Sequence, residues 1–233
     1  MREIKICHVY PDMMNMYGDR GNIIAMQRRL EWRGYAVKIL DCTAGDVPES
    51  DCDIYMIGDG PSIDNARLME DLIEKKAPVL RKAAESGRVI LGIGGGFQLL
   101  CREYRTADGR VLPCLGLIPA YTDAGDAREP GDFSFETDGV TVVGFESHAD
   151  KAYLDEGVSA LGRVIKGSGN NGEDGTEGAV NGTVFGSWSH GPLLPKNSAL
   201  CDRLLSLAVG EPLTGLDDSF EESARRFITE RLG

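Results

Sequence analysis

A short, nearly unbroken apolar run, Arg88-Val-Ile-Leu-Gly-Ile93, leads straight into three glycines at 94–96. Such a run marks a strand covered on both faces, as in a parallel sheet, where polar and apolar residues cease to alternate. Beyond the glycines the period changes. Phe97, Leu100, Cys101 and Tyr104 fall at i, i+3, i+4 and i+7, one stripe of a helix. A buried strand turning directly into a helix leaves backbone N–H groups at the strand's carboxyl end, which is where open α/β sheets bind ligands.

Two kinds of site use this turn. The dinucleotide fingerprint G-x-G-x-x-G fails, because Phe97 stands where its third glycine belongs. A nucleophile elbow, in which small neighbours let a strained turn lift one side chain out of the sheet, fits Gly92, position 94, Gly96 and Gln98. Residue 94 is itself glycine, with no side chain to act. On this stretch alone, a tight strand–helix turn without chemistry stands beside the elbow as an equal alternative.

The first half of the chain supplies more of such a sheet. Ile4–Tyr10, Tyr35–Cys42 and Asp53–Ile57 read as strands, with a helix from about Ile23 to Trp32 stopped by Gly34. Asp64 is the expected N-cap of a helix carrying Leu68, Met69, Leu72 and Ile73, which Pro78 restarts and Gly87 closes. This β-α-β-β-α-β-α order predicts an α/β, flavodoxin-like fold: a doubly wound, mostly parallel sheet with helices on both faces.

The second half reads as extra β-hairpins, with strands at Val140–Phe145, Leu161–Lys166 and Thr183–Trp188, the last delivering His190. Val111–Glu136 shows little periodicity, and the polar Gly167–Gly178 segment reads as a loop. That segment contains G-x-G-x-x-G, but Glu173-Asp174-Gly175 cannot open a helix on a pyrophosphate. Helices near 198–208 and 219–231 follow, the last an appendage to a single domain spanning 1–233.

A length of 233 residues is ample for one such domain, and a net charge of −12 without any basic block argues against a nucleic-acid surface. No apolar run reaches the ~18 residues of a membrane span. The first strand starts at Ile4 without a signal pattern, and six cysteines lie far apart with none in C-x-x-C. A cytoplasmic protein with reduced thiols and no cysteine metal site is expected.

Together with Ser187-Trp-Ser-His190-Gly-Pro192, the elbow resembles that of the class I (triad) glutamine amidotransferases of the cobyric acid synthase type. The likeness is to those acting as the amidotransferase subunit of lipid II isoglutaminyl synthases. It extends through Tyr10-Pro-Asp12, Tyr17-Gly-Asp-Arg-Gly-Asn22, Leu30-Glu-Trp-Arg-Gly34, Gly144-Phe-Glu146, residues 169–178 and His190–Asn197. In that family a cysteine thiolate attacks the side-chain amide carbon of glutamine, the tetrahedral adduct expels ammonia to leave a thioester, and water hydrolyses the thioester to glutamate and frees the cysteine. The resemblance implies position 94 as the nucleophile's place, His190 as the catalytic histidine, Arg128 as the grip on the substrate carboxylate and Gln98 as a substrate hydrogen-bonder. Oxyanion donors are expected from the N–H groups of Gly95 and Gly60. Asp19 and Asn22 read as loop-organising, and His8 and His148 as structural.

The resemblance also implies a heterodimer with a Mur-ligase-like synthetase, which would hold ATP and magnesium and amidate the D-glutamate of lipid II to D-isoglutamine near the inner membrane face. No metal or cofactor is expected in this chain. The acid that orients the histidine is not found two residues on, where Pro192 stands, and is expected from the partner.

Two departures bear on activity. Asp59-Gly60-Pro61 replaces a more glycine-rich, glutamine-bearing turn, and Gly94 stands where the cysteine belongs. Cys101, further along the buried stripe, cannot replace it. The chain as written is expected not to hydrolyse glutamine, because losing one member of a catalytic unit forfeits nearly all its chemistry. The intact surround favours a recent or deliberate replacement, in which case Gly94→Cys restores activity. Competing expectations are a non-enzymatic glutamine-binding or scaffolding subunit, and an amidotransferase domain for cobyrinate-like substrates.

Overall fold

In the computed structural model, which describes residues 2–128 and 130–232, the apolar runs of the first half form a parallel sheet. Its strands are β1 (Glu3–Val9), β2 (Ala36–Cys42), β3 (Ile54–Ile57) and β4 (Val89–Ile93). Helix α1 (Arg20–Glu31) joins β1 to β2. Between β3 and β4 run α2 (Ala66–Asp71), a π-helical turn at Leu72–Lys76, and α3 (Ala77–Glu85) with Pro78 in its first turn. The N-cap of α2 is Asn65, one residue after the expected Asp64: its side chain accepts from the N–H groups of Arg67 and Leu68. Asp64 instead pairs with Arg110 at 2.6 Å.

Helix α4 (Gly95–Leu100) follows β4 directly. It is shorter than the apolar stripe predicts, and Tyr104 lies in β5 (Glu103–Arg105). The 115–118 backbone accounts for the early stop. Leu115 N–H donates to the Leu99 carbonyl, and Leu117 and Ile118 N–H donate to that of Leu100, so the last turn is satisfied from outside.

The remaining elements are β6 (Val111–Pro113), β7 (Ala120–Asp123), β8 (Gly131–Thr137), β9 (Val140–Glu146), β10 (Lys151–Leu154) and β11 (Gly162–Lys166). After them come β12 (Thr176–Glu177), β13 (Ala179–Asn181), β14 (Val184–Ser187), α5 (Leu193–Lys196), α6 (Ser198–Val209) and α7 (Ser219–Leu232). The main sheet has the order β13-β14-β4-β3-β1-β2, with only β13 antiparallel, and two four-stranded sheets, β10-β7-β5-β6 and β12-β11-β8-β9, lie beside it. The 111–136 region, expected to be irregular, therefore holds β6, β7 and the start of β8, and the polar 167–178 stretch ends in β12.

Alternation along β4 divides the core. Val89, Leu91 and Ile93 face the layer of α1 and α6 with Met26, Leu30 and Leu204, while Ile90 faces Leu80, Phe97 and Leu100. All five β4 residues are buried, and each large aliphatic among them contributes roughly 1.5–3 kcal/mol by leaving water. The rigid middle of the sheet thus ends in the glycine turn. Among the described residues no helix is long and apolar enough to cross a membrane, and all six cysteines are unpaired and buried.

Candidate active site

Strands β3, β4 and β14 are neighbours, with Ile57 opposite Gly92 and Ser187 opposite Ile93. Their carboxyl ends therefore bring three turns together: 58–60, 94–96 and 188–190. Gly94 N–H donates to the Ser187 carbonyl (2.9 Å), and Gly96 N–H to that of Gly58 (3.1 Å). Gly94 has φ +55° and ψ −116°, a strained geometry that side-chain-bearing residues avoid. At Gly96 a Cβ would lie 2.2 Å from the Ile57 carbonyl oxygen, so the turn closes only with glycine there.

His190 faces this turn. A Cβ built on Gly94 would stand 2.5 Å from the His190 Cε1 atom. The imidazole is fully buried and packs against the Tyr17 ring at 4.7 Å between centroids. Its backbone is pinned to Phe145 through His190 N–H donating at 2.7 Å and Phe145 N–H returning at 3.3 Å. Among the described residues neither ring nitrogen has a hydrogen-bond partner. Burial, helped by the positive charge of nearby His148 and Arg128, pushes the imidazole down to about 3, so it is neutral near pH 7. Its 3.6 Å approach to the Asp59 carboxylate is accordingly not an ion pair.

Asp59 holds the other side of the turn. Its Oδ1 accepts the Gly95 N–H at 2.7 Å, and the adjacent Gly60 N–H also favours the charged carboxylate. Burial raises the Asp59 carboxyl against the opposing effect of those donors and of Arg128 and His148. Of the two N–H groups expected to hold an oxyanion, that of Gly95 is thus directed at a carboxylate of the chain itself. A Cβ on Gly94 would meet the Asp59 Cγ at 2.6 Å and Oδ1 at 2.7 Å, so a cysteine does not fit beside Asp59 as it stands. Gly94→Cys therefore requires the Asp59 side chain to move aside.

The turn opens into a crevice of about 180 Å³ lined in part by Asp59, Gly60, Gly94, Gly95, Gln98, Arg128, His148, Asp150, Trp188 and His190. All six positions singled out from the sequence therefore meet at one place. Exposed Arg128 donates from Nη1 to the Tyr17 hydroxyl (2.9 Å), which donates to Ser147 Oγ (3.1 Å). Gln98 spends its amide nitrogen on Asp150 Oδ2 at 2.8 Å. Asp19 accepts from the N–H of Asp59 and from the Asn22 amide, and Asn22 Oδ1 accepts from Leu194 N–H, tying the first loop to both sides of the site.

Residues 5–198 match the CobB/CobQ-like glutamine amidotransferase domain. The chain belongs to that family. It is 37% identical to the lipid II isoglutaminyl synthase (glutamine-hydrolyzing) subunit GatD of Staphylococcus aureus over 99% of its own length and 97% of that protein's. Identity to the subunit of the same name from Streptococcus pneumoniae is 35%, over 89% of this chain and 81% of that one. Among solved structures, the glutaminase domain of Trypanosoma brucei CTPS with bound acivicin aligns over 91% of this chain and 96% of its own, with TM-score 0.59 and 10% identity. Thermotoga maritima PurLQS aligns over 90% of this chain and 96% of its own, with TM-score 0.56 and 22% identity, and these two likenesses establish the fold.

Within this amidotransferase fold, three contributors escaped the sequence reading. Glu177 is fully buried; its Oε1 accepts from Ser187 Oγ (2.6 Å) and Trp188 N–H (3.0 Å), which fixes the segment leading to His190. His148, read as structural, lines the crevice while stacking on Trp188 at 4.2 Å and contacting the Asp150 carbonyl through Nδ1. Asp59 was legible only as a departure from the family's turn. No spacing rule signals that it would fold back onto the Gly95 N–H, 36 residues away in sequence.

Proposed function

We propose that this chain is the amidotransferase-type subunit of a lipid II-amidating complex, paired with an ATP-dependent Mur-ligase-like synthetase, and that it serves the complex without hydrolysing glutamine. The observation carrying the second part is that residue 94, set against His190, has no side chain. Thioester chemistry needs a thiolate to bond the amide carbon. A neutral imidazole at about 3 is too weak a base to activate water in its stead. The first part rests on likeness to the two GatD subunits over nearly the whole chain. A cobyrinate-type role is less well supported: the cobyric acid synthase of Pelotomaculum thermopropionicum matches over 49% of this chain and only 25% of its own length.

On this reading ATP and magnesium belong to the synthetase, nitrogen comes from free ammonia, and the chain holds the synthetase in its working form in the cytoplasm. The test combines both purified subunits with lipid II, ATP and either ammonium or glutamine, and reads the amidated product by mass. Ammonium-driven amidation that needs both chains is expected. Amidation driven by glutamine, or indifferent to this chain, overturns the proposal.

A further inference from the structure

We infer that Asp59 is a built-in occupant of the oxyanion position, whose carboxylate bars glutamine from the crevice. The inference rests on the reading of this crevice as the family's glutamine site, though not on the identity of the partner. Three observations converge on it. Of the donors placed to receive an amide oxygen, Gly95 already hydrogen-bonds Asp59 at 2.7 Å, and Gly60 is the chain neighbour of Asp59. Its Cγ lies within 2.6 Å of where a Cβ on residue 94 would stand, so the carboxyl group takes up the room that the missing side chain vacates. His190 beside it is fully buried, and its Nε2, without a hydrogen-bond partner among the described residues, stands 3.6 Å from Asp59 Oδ2, so the carboxyl group spans the gap between the glycine turn and the imidazole.

A glutamine seated with its carboxylate on Arg128 would bring its amide oxygen against Asp59 oxygen, acceptor against acceptor, in a site that excludes most water. An unpaired buried acceptor and a like partial charge both oppose binding. The room left beside His190 by a residue without a side chain and the carboxyl group that fills it are thus one packing arrangement. Asp59 acts here as a specificity-determining residue: it sets what the pocket rejects.

Glutamine titrated into the intact chain, followed by calorimetry and by thermal shift, is expected to give no saturable signal. Asp59→Ala frees the Gly95 donor and is expected to bind glutamine at least about tenfold more tightly than the parent. Asp59→Asn, which keeps an acceptor oxygen on Gly95, is expected to remain closed. Should Asp59→Ala fail to fold, as judged by circular dichroism, Asp59→Ser takes its place. In a second arm Gly94→Cys alone gives no glutamate from glutamine, whereas Gly94→Cys with Asp59→Ala does when the synthetase is present. Binding of glutamine by the parent as tightly as by Asp59→Ala overturns the inference, as does a folded Asp59→Ala or Asp59→Ser variant that stays closed. Failure of the lipid II assay with these binding results intact would instead overturn only the assignment of partner.

Discussion

Glu177→Gln isolates the electrostatics of the segment that carries His190. Burial pushes the Glu177 carboxyl up to about 7 from an ordinary 4.5, so the folded chain holds a proton there that the unfolded chain releases. A raised acid stabilises the fold fully below the unfolded value, and that stabilisation drains away as pH rises through the folded one. At about 1.4 kcal/mol per unit, and counting only the window from about pH 5.5 to about pH 8.5, ionisation of Glu177 costs about 2 kcal/mol. Glutamine keeps an acceptor for Ser187 and Trp188 and never ionises. Urea unfolding of the two proteins across this window should therefore show the variant gaining on the parent by about 2 kcal/mol, or roughly 4–8 °C in melting temperature for a chain of this size. Asp19, also pushed up to about 7 by burial, makes the parent itself lose stability over the same range, but that contribution cancels in the difference. A difference that stays flat with pH would show that Glu177 is ionised in the fold and would refute the reasoning.

Arg29, 5% exposed at its side chain, forks onto Asp202 and Asp218 at 2.6 Å each and fastens α1 to α6 and to the start of α7. Arg29→Met strands Asp218 and leaves Asp202 only its 2.6 Å pairing with Arg33, and should cost about 3 kcal/mol in urea unfolding, the low end for a broken buried pair because Asp202 keeps a partner and both acids keep some water. A loss below ~1 kcal/mol would mean the pair behaves as a surface one. Gly96→Ala pushes a methyl against the Ile57 carbonyl at 2.2 Å and should lower stability by about 1–3 kcal/mol, read as a fall in melting temperature. An unchanged melting temperature would show that the turn is looser than described.

The parallel sheet is legible because its strands are buried on both faces and so appear as continuous apolar runs, as in Val89–Ile93. The sheet β10-β7-β5-β6 is not, whereas β9 and β11 of the other small sheet stand where strands are expected. Strands such as Val111–Pro113 and Glu103–Arg105 span three residues, too few for a period to show, and are set by pairing with distant chain. The same limit applies at the site. Gly94, His190, Arg128 and Gln98 stand in motifs that fix their places along the chain, and the fold gathers them. Asp59 and Glu177 act through neighbours in space: one meets Gly95 and the other Ser187 only after β3, β4 and β14 are side by side. The capping shift from Asp64 to Asn65 is smaller in kind, a choice between adjacent acceptors settled by the Arg110 pairing.

Release of glutamate from glutamine by the assembled two-subunit complex, with lipid II and ATP present, bears most immediately on the inert crevice. A rate indistinguishable from that of the synthetase alone is predicted, because no sulfur stands between Gly94 and His190 and a carboxylate fills the gap. Turnover that appears only when this chain is added, and disappears with His190→Ala, would contradict the account.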